Sequence, residues 1–291
     1  MTADTLNISK HKIRRAFDRA ADSYDDAAVL QKEVCSRLLE RLDYVRLEPQ
    51  MILDLGVGTG EAITPLMQRY NKASIVALDL SEQMLHKAKA HGRLFRKPEL
   101  VCADLEALPF ADNSFDLVFS SLALQWCNNL GETMKGLLRV LKPGGLLMFA
   151  TFGPDTLKEL KASWQNIDDT VHVNPFVDMH DVGDEMLNSG FADPVIEAEV
   201  ITVTYDHVDR LMQDLRDIGA NVKSEGFRSG LTTPAMMRQL SDAYETYRVD
   251  GDLPASYEVV YGHAWKAQAV DDSKSNSVQV DVSLPGQHTE L

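Results

Sequence analysis

Met51 to Ala62 (MILDLGVGTGEA) constrains the fold more than any other stretch. Met51 to Leu55 is a short apolar run of the kind that forms a buried parallel strand. Gly56, Gly58 and Gly60 interrupt it, and Ile63, Leu66, Met67 and Tyr70 then recur at helical spacing. Strand, glycine turn and helix open a nucleotide-binding βαβ unit. A dinucleotide fingerprint wants its third glycine at position 61, which is Glu61 here, and no Gly-Lys-Ser/Thr follows to make a phosphate loop.

Asp54 ends the strand, where a carboxylate would repel phosphates but attract a cation. Ser74 to Leu78 predicts the next strand, closed by Asp79 nineteen residues after Gly60. An acid at that interval is placed to accept hydrogen bonds from ribose hydroxyls. Ser81 follows as an N-cap, with Met84, Leu85 and Ala88 on one helix face. A nucleoside carrying positive charge, as S-adenosylmethionine does, satisfies both acids. The alternative is that Asp54 and Asp79 only cap neighbouring helices.

The charge balance narrows the partners. With a net charge of −15 over 291 residues, general nucleic-acid binding is disfavoured. Cys35, Cys102 and Cys127 form no Cys-x-x-Cys pair, which suits a reducing compartment. Cys35 and Cys102 fall in apolar segments and read as packing residues. No segment reads as a signal core or membrane span, so a soluble cytoplasmic protein is expected; separately, a monomer is expected.

In chain order, Ile13, Ala16, Phe17, Ala20 and Tyr24 predict an amphipathic helix, studded with Lys10, Lys12, Arg14, Arg15 and Arg19. Those cations are either a solvated face or a docking patch for an acidic partner. Leu30, Val34, Leu38 and Leu42 define a second helix, and Tyr24 and Gln31 flank the joint. Glu99 to Ala103 is a third strand, followed by Asp104 and Leu105, which suit an adenine amine and ring, or a simple turn. Phe115 to Phe119 is the fourth strand, with Ser120 and Ser121 at its ligand-facing end. Leu122 to Asn128 and Gly131 to Leu141 read as helices. A Lys142–Gly145 turn enters the fifth strand, Leu146 to Ala150.

Beyond Thr151, helices are expected at Asp155 to Trp164, Asp181 to Ser189, His207 to Ile218 and Thr233 to Tyr247. Strands are expected at Val195 to Tyr205 and Tyr257 to Trp265. The whole reads as a Rossmann-like α/β protein with a seven-stranded doubly wound sheet. Residues 1–46 form a helical extension or lid, and 47–266 the ligand-binding domain with a helical insertion at about 206–250. Residues 267–291 form a polar tail expected to be disordered.

Leu53 to Gly60, Ala77 to Ser81 (ALDLS) and Leu141 to Gly145 (LKPGG) resemble motifs of the class I S-adenosylmethionine-dependent methyltransferases. Phe17 to Tyr24 (FDRAADSY), Leu30-Gln31, Asp104 to Pro109, Ser120 to Cys127 (SSLALQWC), Gly153 to Leu157 and Ile218 to Ala220 resemble a narrower group, the malonyl-acyl-carrier-protein O-methyltransferases of the biotin pathway. Val173 to Phe176, the helix near Leu211 to Gly219 and Pro254 to Trp265 also resemble a respiratory complex I assembly factor associated with arginine hydroxylation. That second pattern lacks the Arg-Ala-Ala-x-x-Tyr segment found here. A quinone or other small-molecule methyltransferase is a third reading.

The biotin-pathway resemblance implies methyl transfer to the free carboxylate of a malonyl group on acyl carrier protein. It implies cofactor contacts at Gln31, Asp54, Gly56, Gly58, Gly60, Asp79, Leu80, Met84, Asp104, Leu105 and Ser120. No general base or metal is expected, because the nucleophile is already ionised. Arg216, in the helix leading to Gly219, His172 in a loop and Tyr24 are the candidates for positioning substrate. Arg14, Arg15 and Arg19 would steer the acidic carrier. Arg216 could equally pair with Asp214 or Asp217 on its own helix.

Overall fold

The computed structural model describes residues 8–92, 96–220 and 233–268. The described residues begin with three helices, α1 (Lys10–Ala20), α2 (Tyr24–Ala27) and α3 (Val29–Arg41). β1 (Met51–Leu55), α4 (Ile63–Arg69), β2 (Ser74–Asp79), α5 (Glu82–Ala88) and β3 (Glu99–Cys102) follow. The second half of the core is β4 (Phe115–Ser121), α6 (Leu130–Val140) and β5 (Leu141–Phe152). The chain then runs through α7 (Lys158–Gln165), α8 (Met179–Asn188), β6 (Phe191–Tyr205), α9 (Val208–Asp217), α10 (Pro234–Tyr244) and β7 (Leu253–Lys266).

All seven strands form one sheet in the order β3-β2-β1-β4-β5-β7-β6. The first five pair in parallel, and β7 is antiparallel to both its neighbours. Strand order reverses between β1 and β4, so the carboxyl ends of these two strands open the crevice where such sheets take ligands. Alternate residues of each inner strand serve opposite faces. Ile52, Ala77, Leu117 and Met148 pack with α3, α4 and α7 on one side. Leu53, Leu78, Val118 and Leu147 pack with α6 and α8 on the other. Continuous burial on both faces explains why these strands are apolar runs rather than alternating patterns.

Among the described residues β6 pairs only with β7, and it alternates half-exposed with exposed positions along most of its length, as an edge strand does. Where β5 crosses β7, Gly262 lies opposite Phe149, and a Cβ there would fall 2.3 Å from the Phe149 ring. That glycine makes room for the core phenylalanine.

Several boundaries differ from the sequence reading. Tyr24 does not extend the first helix: α1 ends at Ala20, and Tyr24 opens the separate short helix α2. The stretch after β4 is not a helix but a single 3₁₀ turn at Leu124–Trp126, entered through Leu122 at φ 53°. Helix α7 starts only at Lys158, because Leu157 before it is left-handed at φ 56°. The 142–145 turn is a bulge within β5, whose register on β4 steps from Phe115 opposite Leu141 to Leu117 opposite Leu146. Cys102 is exposed rather than packed, and all three cysteines are free.

No helix of the described residues is long and apolar enough to cross a membrane. The 206–250 region does hold α9 and α10, inserted between β6 and β7. Most of the polar tail, 269–291, lies outside the described residues.

Candidate functional site

The glycine turn is shaped from beneath. Gly56 and Val57 both donate their N–H groups to Leu78 O (2.8 and 3.0 Å), tying the turn to the end of β2. Gly56 is left-handed at φ 70°, and a Cβ on it would stand 2.3 Å from the Ala123 side chain. Only glycine allows both the conformation and the approach. Gly58 donates its N–H to Asp79 Oδ2 at 2.9 Å, and Ser81 N–H donates to Asp79 Oδ1 at 2.8 Å. One carboxylate thus orients both the glycine turn and the start of α5.

Around this turn lie three adjoining cavities. The first is bounded by Gly56, Gly58, Asp79, Leu80, Met84, Asp104 and Leu105, with Lys10, Phe17 and Trp126 closing it from above. The second, smaller, is lined by Gln31, Lys32, Asp54, Thr59, Glu61 and Ser121. The third, of about 280 Å³, reaches away from the turn between Gln31, Trp164, His172, Arg216 and Tyr257. Tyr24 lines all three. Its phenol is pushed well above the ordinary range by burial and then by the charges of Asp79 and Asp25, so it stays protonated as a hydrogen-bond donor.

Asp54 is 3% exposed, and its Oδ2 has no hydrogen-bond partner among the described residues. Burial, then the neighbouring Asp79, holds its carboxyl near 7. Burial also raises Asp79, to about 6, although its backbone donors oppose the shift. A buried carboxylate oxygen left without a donor is costly. A cationic ligand against the turn removes that cost, and the arrangement fits an ammonium or sulfonium group. Asp104 lies at the far end of the first cavity, paired with Lys10 Nζ at 3.3 Å and accepting Glu106 N–H at 3.0 Å.

Two of the sequence-derived cofactor positions do not line any of these cavities. Ser120 is fully buried, and its hydroxyl donates to Leu55 O at 3.0 Å; its neighbour Ser121 faces the cleft instead. Strand alternation makes the two serines point opposite ways, and the sequence alone does not say which. Gly60 packs against α5, where a Cβ would meet Ala88 and His91 at 2.9–3.0 Å.

Of the substrate-side candidates, His172 is held most firmly. Its ring stacks on Trp164 (3.8 Å between centroids, 6° between planes), and its Nε2 lies 2.8 Å from Asp168 Oδ1 and 2.9 Å from Thr170 Oγ1. Thr170 and His172 hold the Asp168 carboxyl down at about 2. Arg216 lies on the rim, exposed, and donates from Nη2 to Gln213 Oε1 at 2.9 Å rather than to Asp214 or Asp217.

The sequence reading missed Phe17 and Trp126, which meet edge-to-face at 5.4 Å over the cleft. Both lie in segments that carried the family resemblance. Lys32, Thr59 and Glu61 were also missed, although each adjoins a residue that was singled out. Among the described residues no group of three or more metal-ligating side chains converges.

The N-terminal extension is fastened over the cleft. Ile8 N–H donates to Asn128 Oδ1 at 2.7 Å, and Ser81 Oγ donates to Asp18 Oδ1 at 2.6 Å. The hydroxyl of Ser23 donates to Asp217 O at 3.0 Å, and Gly219 abuts Ala16 and Ala20, so α9 is pinned to α1 and α2. Arg14 is engaged with Asp18 and Glu82 at 3.7 and 3.8 Å, whereas Arg15 and Arg19 face solvent.

The comparisons with known proteins agree with this geometry. The methyltransferase domain family matches residues 53–149. A Methylovorus protein named malonyl-acyl-carrier-protein O-methyltransferase is 50% identical over 275 residues, 92% of this chain and 93% of its own. A Halorhodospira halophila protein of the same name is 46% identical over 96% of both chains. In fold, the chain resembles a candidate methyltransferase from Bacillus halodurans (TM-score 0.59, 20% identity, 80% of this chain and 99% of that one). It also resembles a Haemonchus contortus phosphoethanolamine N-methyltransferase in complex with S-adenosyl-L-methionine (TM-score 0.53, 21% identity, 86% and 57%). With half its residues shared over nearly the full length of such a relative, the chain belongs to the malonyl-acyl-carrier-protein O-methyltransferase family.

Proposed function

We propose that this protein is an S-adenosylmethionine-dependent carboxyl O-methyltransferase that esterifies the free carboxylate of a malonyl group carried on acyl carrier protein, in the synthesis of a biotin precursor. The observation that carries this reading is the cleft itself: an unpartnered Asp54 carboxylate beside the glycine turn, and a separate cavity that joins it at Tyr24.

S-adenosylmethionine, when bound, supplies an electrophilic methyl group. Asp54 would face its positive charge, Asp79 would accept from ribose hydroxyls, and Asp104 with Leu105, Leu80 and Met84 would hold the base. Asp104 can do so only if Lys10 shares or yields that carboxylate; Glu106 is its other partner.

The acceptor needs no activation, since a malonyl carboxyl group titrates near about 4 and is ionised at neutral pH. Rate then rests on placement and on the exclusion of water. Phe17 and Tyr24 from the fastened extension, with Trp126 from the turn after β4 and α9 beside them, close the cleft to solvent. Tyr24 and His172 are the positioning donors inside the cavity, and Arg216 attracts the anion at the rim.

Acyl carrier proteins are acidic, and Arg15 and Arg19 offer a solvent-facing basic surface for one to dock on, with Arg14 partly neutralised beside them. Three free cysteines are consistent with a reducing cytoplasm, and we take the monomer as the working unit.

The test is incubation with methyl-labelled S-adenosylmethionine and either malonyl-acyl-carrier protein or malonyl-coenzyme A. Base-labile label on the malonyl group, with the carrier-bound form preferred, is expected. Cofactor binding without label transfer would overturn the reading.

A further inference from the structure

The small cavity beside the glycine turn has an uneven charge pattern. Asp25, Asp54 and Glu61 line it as carboxylates, with Tyr24 and Cys35 as its other titratable groups, and Lys32 is the only cation among the described lining residues. Burial pushes the Cys35 thiol well above the ordinary range, so it adds no thiolate charge.

Tyr24 and Gln31 offer neutral donors to the cavity, as do the N–H groups of Thr59 and Glu61, but no further cation. The N–H groups of Gly56, Val57, Gly58 and Gly60 all donate within the protein, to Leu78 O, Leu78 O, Asp79 Oδ2 and Val57 O. Lys32 Nζ is held across α2 by Asp25 O at 2.6 Å, which occupies one of its three donors and leaves two. On the same cavity, Asp54 is 3% exposed with an unpartnered Oδ2. One available cation and one orphaned anion on one cavity complement a zwitterion.

We infer that Lys32 binds the carboxylate of the amino-acid end of S-adenosylmethionine, while Asp54 takes up the positive charge. This rests on the cofactor reading above. It makes Lys32 a cofactor-binding residue, beside the Asp54 already placed at the positive charge. The ammonium end has three carboxylates to choose from; the carboxylate end has one cation among the described lining residues, Lys32, with the neutral donors Tyr24 and Gln31 beside it.

The experiment is calorimetric titration of the full chain with S-adenosylmethionine and with its decarboxylated analogue, in the unmodified protein and in Lys32→Met and Lys32→Arg. Lys32→Met is expected to weaken S-adenosylmethionine about tenfold, the worth of one charged hydrogen bond, while binding of the decarboxylated analogue stays within about twofold. Lys32→Arg is expected to restore most of the loss. Equal weakening of both ligands would show that Lys32 acts only by holding Asp25 and α2, and would overturn the assignment; so would no weakening of either. If the unmodified protein binds neither ligand, the cofactor reading itself falls, and the assignment with it.

Discussion

Thr59 of the glycine turn donates its hydroxyl hydrogen to Asp25 Oδ1 at 2.7 Å, linking the ligand-facing loop to the N-terminal extension. The link joins residues 34 apart in sequence, both of which line the small cavity beside the turn. Asp25→Ala and Thr59→Val are each expected to raise the cofactor Kd roughly three- to tenfold, the scale of one hydrogen bond to a charged group. Because both remove one interaction, the double variant should lose no more than either single one. Calorimetry on the four proteins, with circular dichroism as the check on folding, reads this directly. Additive losses would mean that the two residues act independently.

Asp54 predicts a pH dependence whose sign differs for folding and for binding. Its carboxyl stands near 7 in the folded protein against about 4 when unfolded. Between those values the folded state holds the extra proton, so this group's contribution to stability falls as pH rises from about 4 to 7. A cationic cofactor needs the ionised form, so its Kd should tighten as pH rises through 7, with proton release on binding. Asp54→Asn should lose cofactor affinity by tenfold or more and gain a few degrees in Tm at pH 8, since about 1 kcal/mol moves a chain of this size by roughly 2–4 °C. A pH-independent Kd between pH 6 and 8 would count against the role given to Asp54.

Charge reversal at Arg15 and Arg19 tests docking. Both face solvent, so the fold should tolerate Arg15→Glu and Arg19→Glu. We expect kcat/KM for the carrier-bound substrate to fall by about tenfold or more at low salt, with the difference shrinking as salt rises. Activity on a small malonyl thioester should hold. Equal losses on both substrates would remove the docking surface from the account.

The parts of this molecule legible in its sequence are those where local pattern and global role agree. The stretch from Met51 to Gly60 carries strand, acid and bend within ten residues, so fold and cleft follow from it. The seven strands were equally readable, because burial on both faces makes the inner ones apolar runs and leaves β6 alternating. What failed was whatever depends on a single dihedral or on which way one side chain points. Leu122 and Leu157, apolar residues in the left-handed region, replace one expected helix by a 3₁₀ turn and delay the start of another. Ser120 and Ser121 exchanged roles because pleating reverses at each residue. Lys32 and Trp126 carry no pattern of their own; only the approach of distant segments shows what they face.

Gly56 offers a test of shape rather than charge. Gly56→Ala adds a Cβ 2.3 Å from that of Ala123 and forces alanine into φ 70°. Overpacking costs about 1–3 kcal/mol and the left-handed conformation about 1–2 more. Ala123→Gly in the same chain should recover the first part and not the second, leaving stability between the two. Thermal unfolding measures this, and full recovery would mean that the backbone conformation carries no cost.

The most direct test of the central claim is the intact mass of malonyl-acyl-carrier protein before and after reaction with the enzyme and S-adenosylmethionine. The account predicts a gain of one methylene on the malonyl group, removed again by mild base as an ester is. No gain, a gain that resists base, or the addition of an oxygen to a protein partner would contradict it.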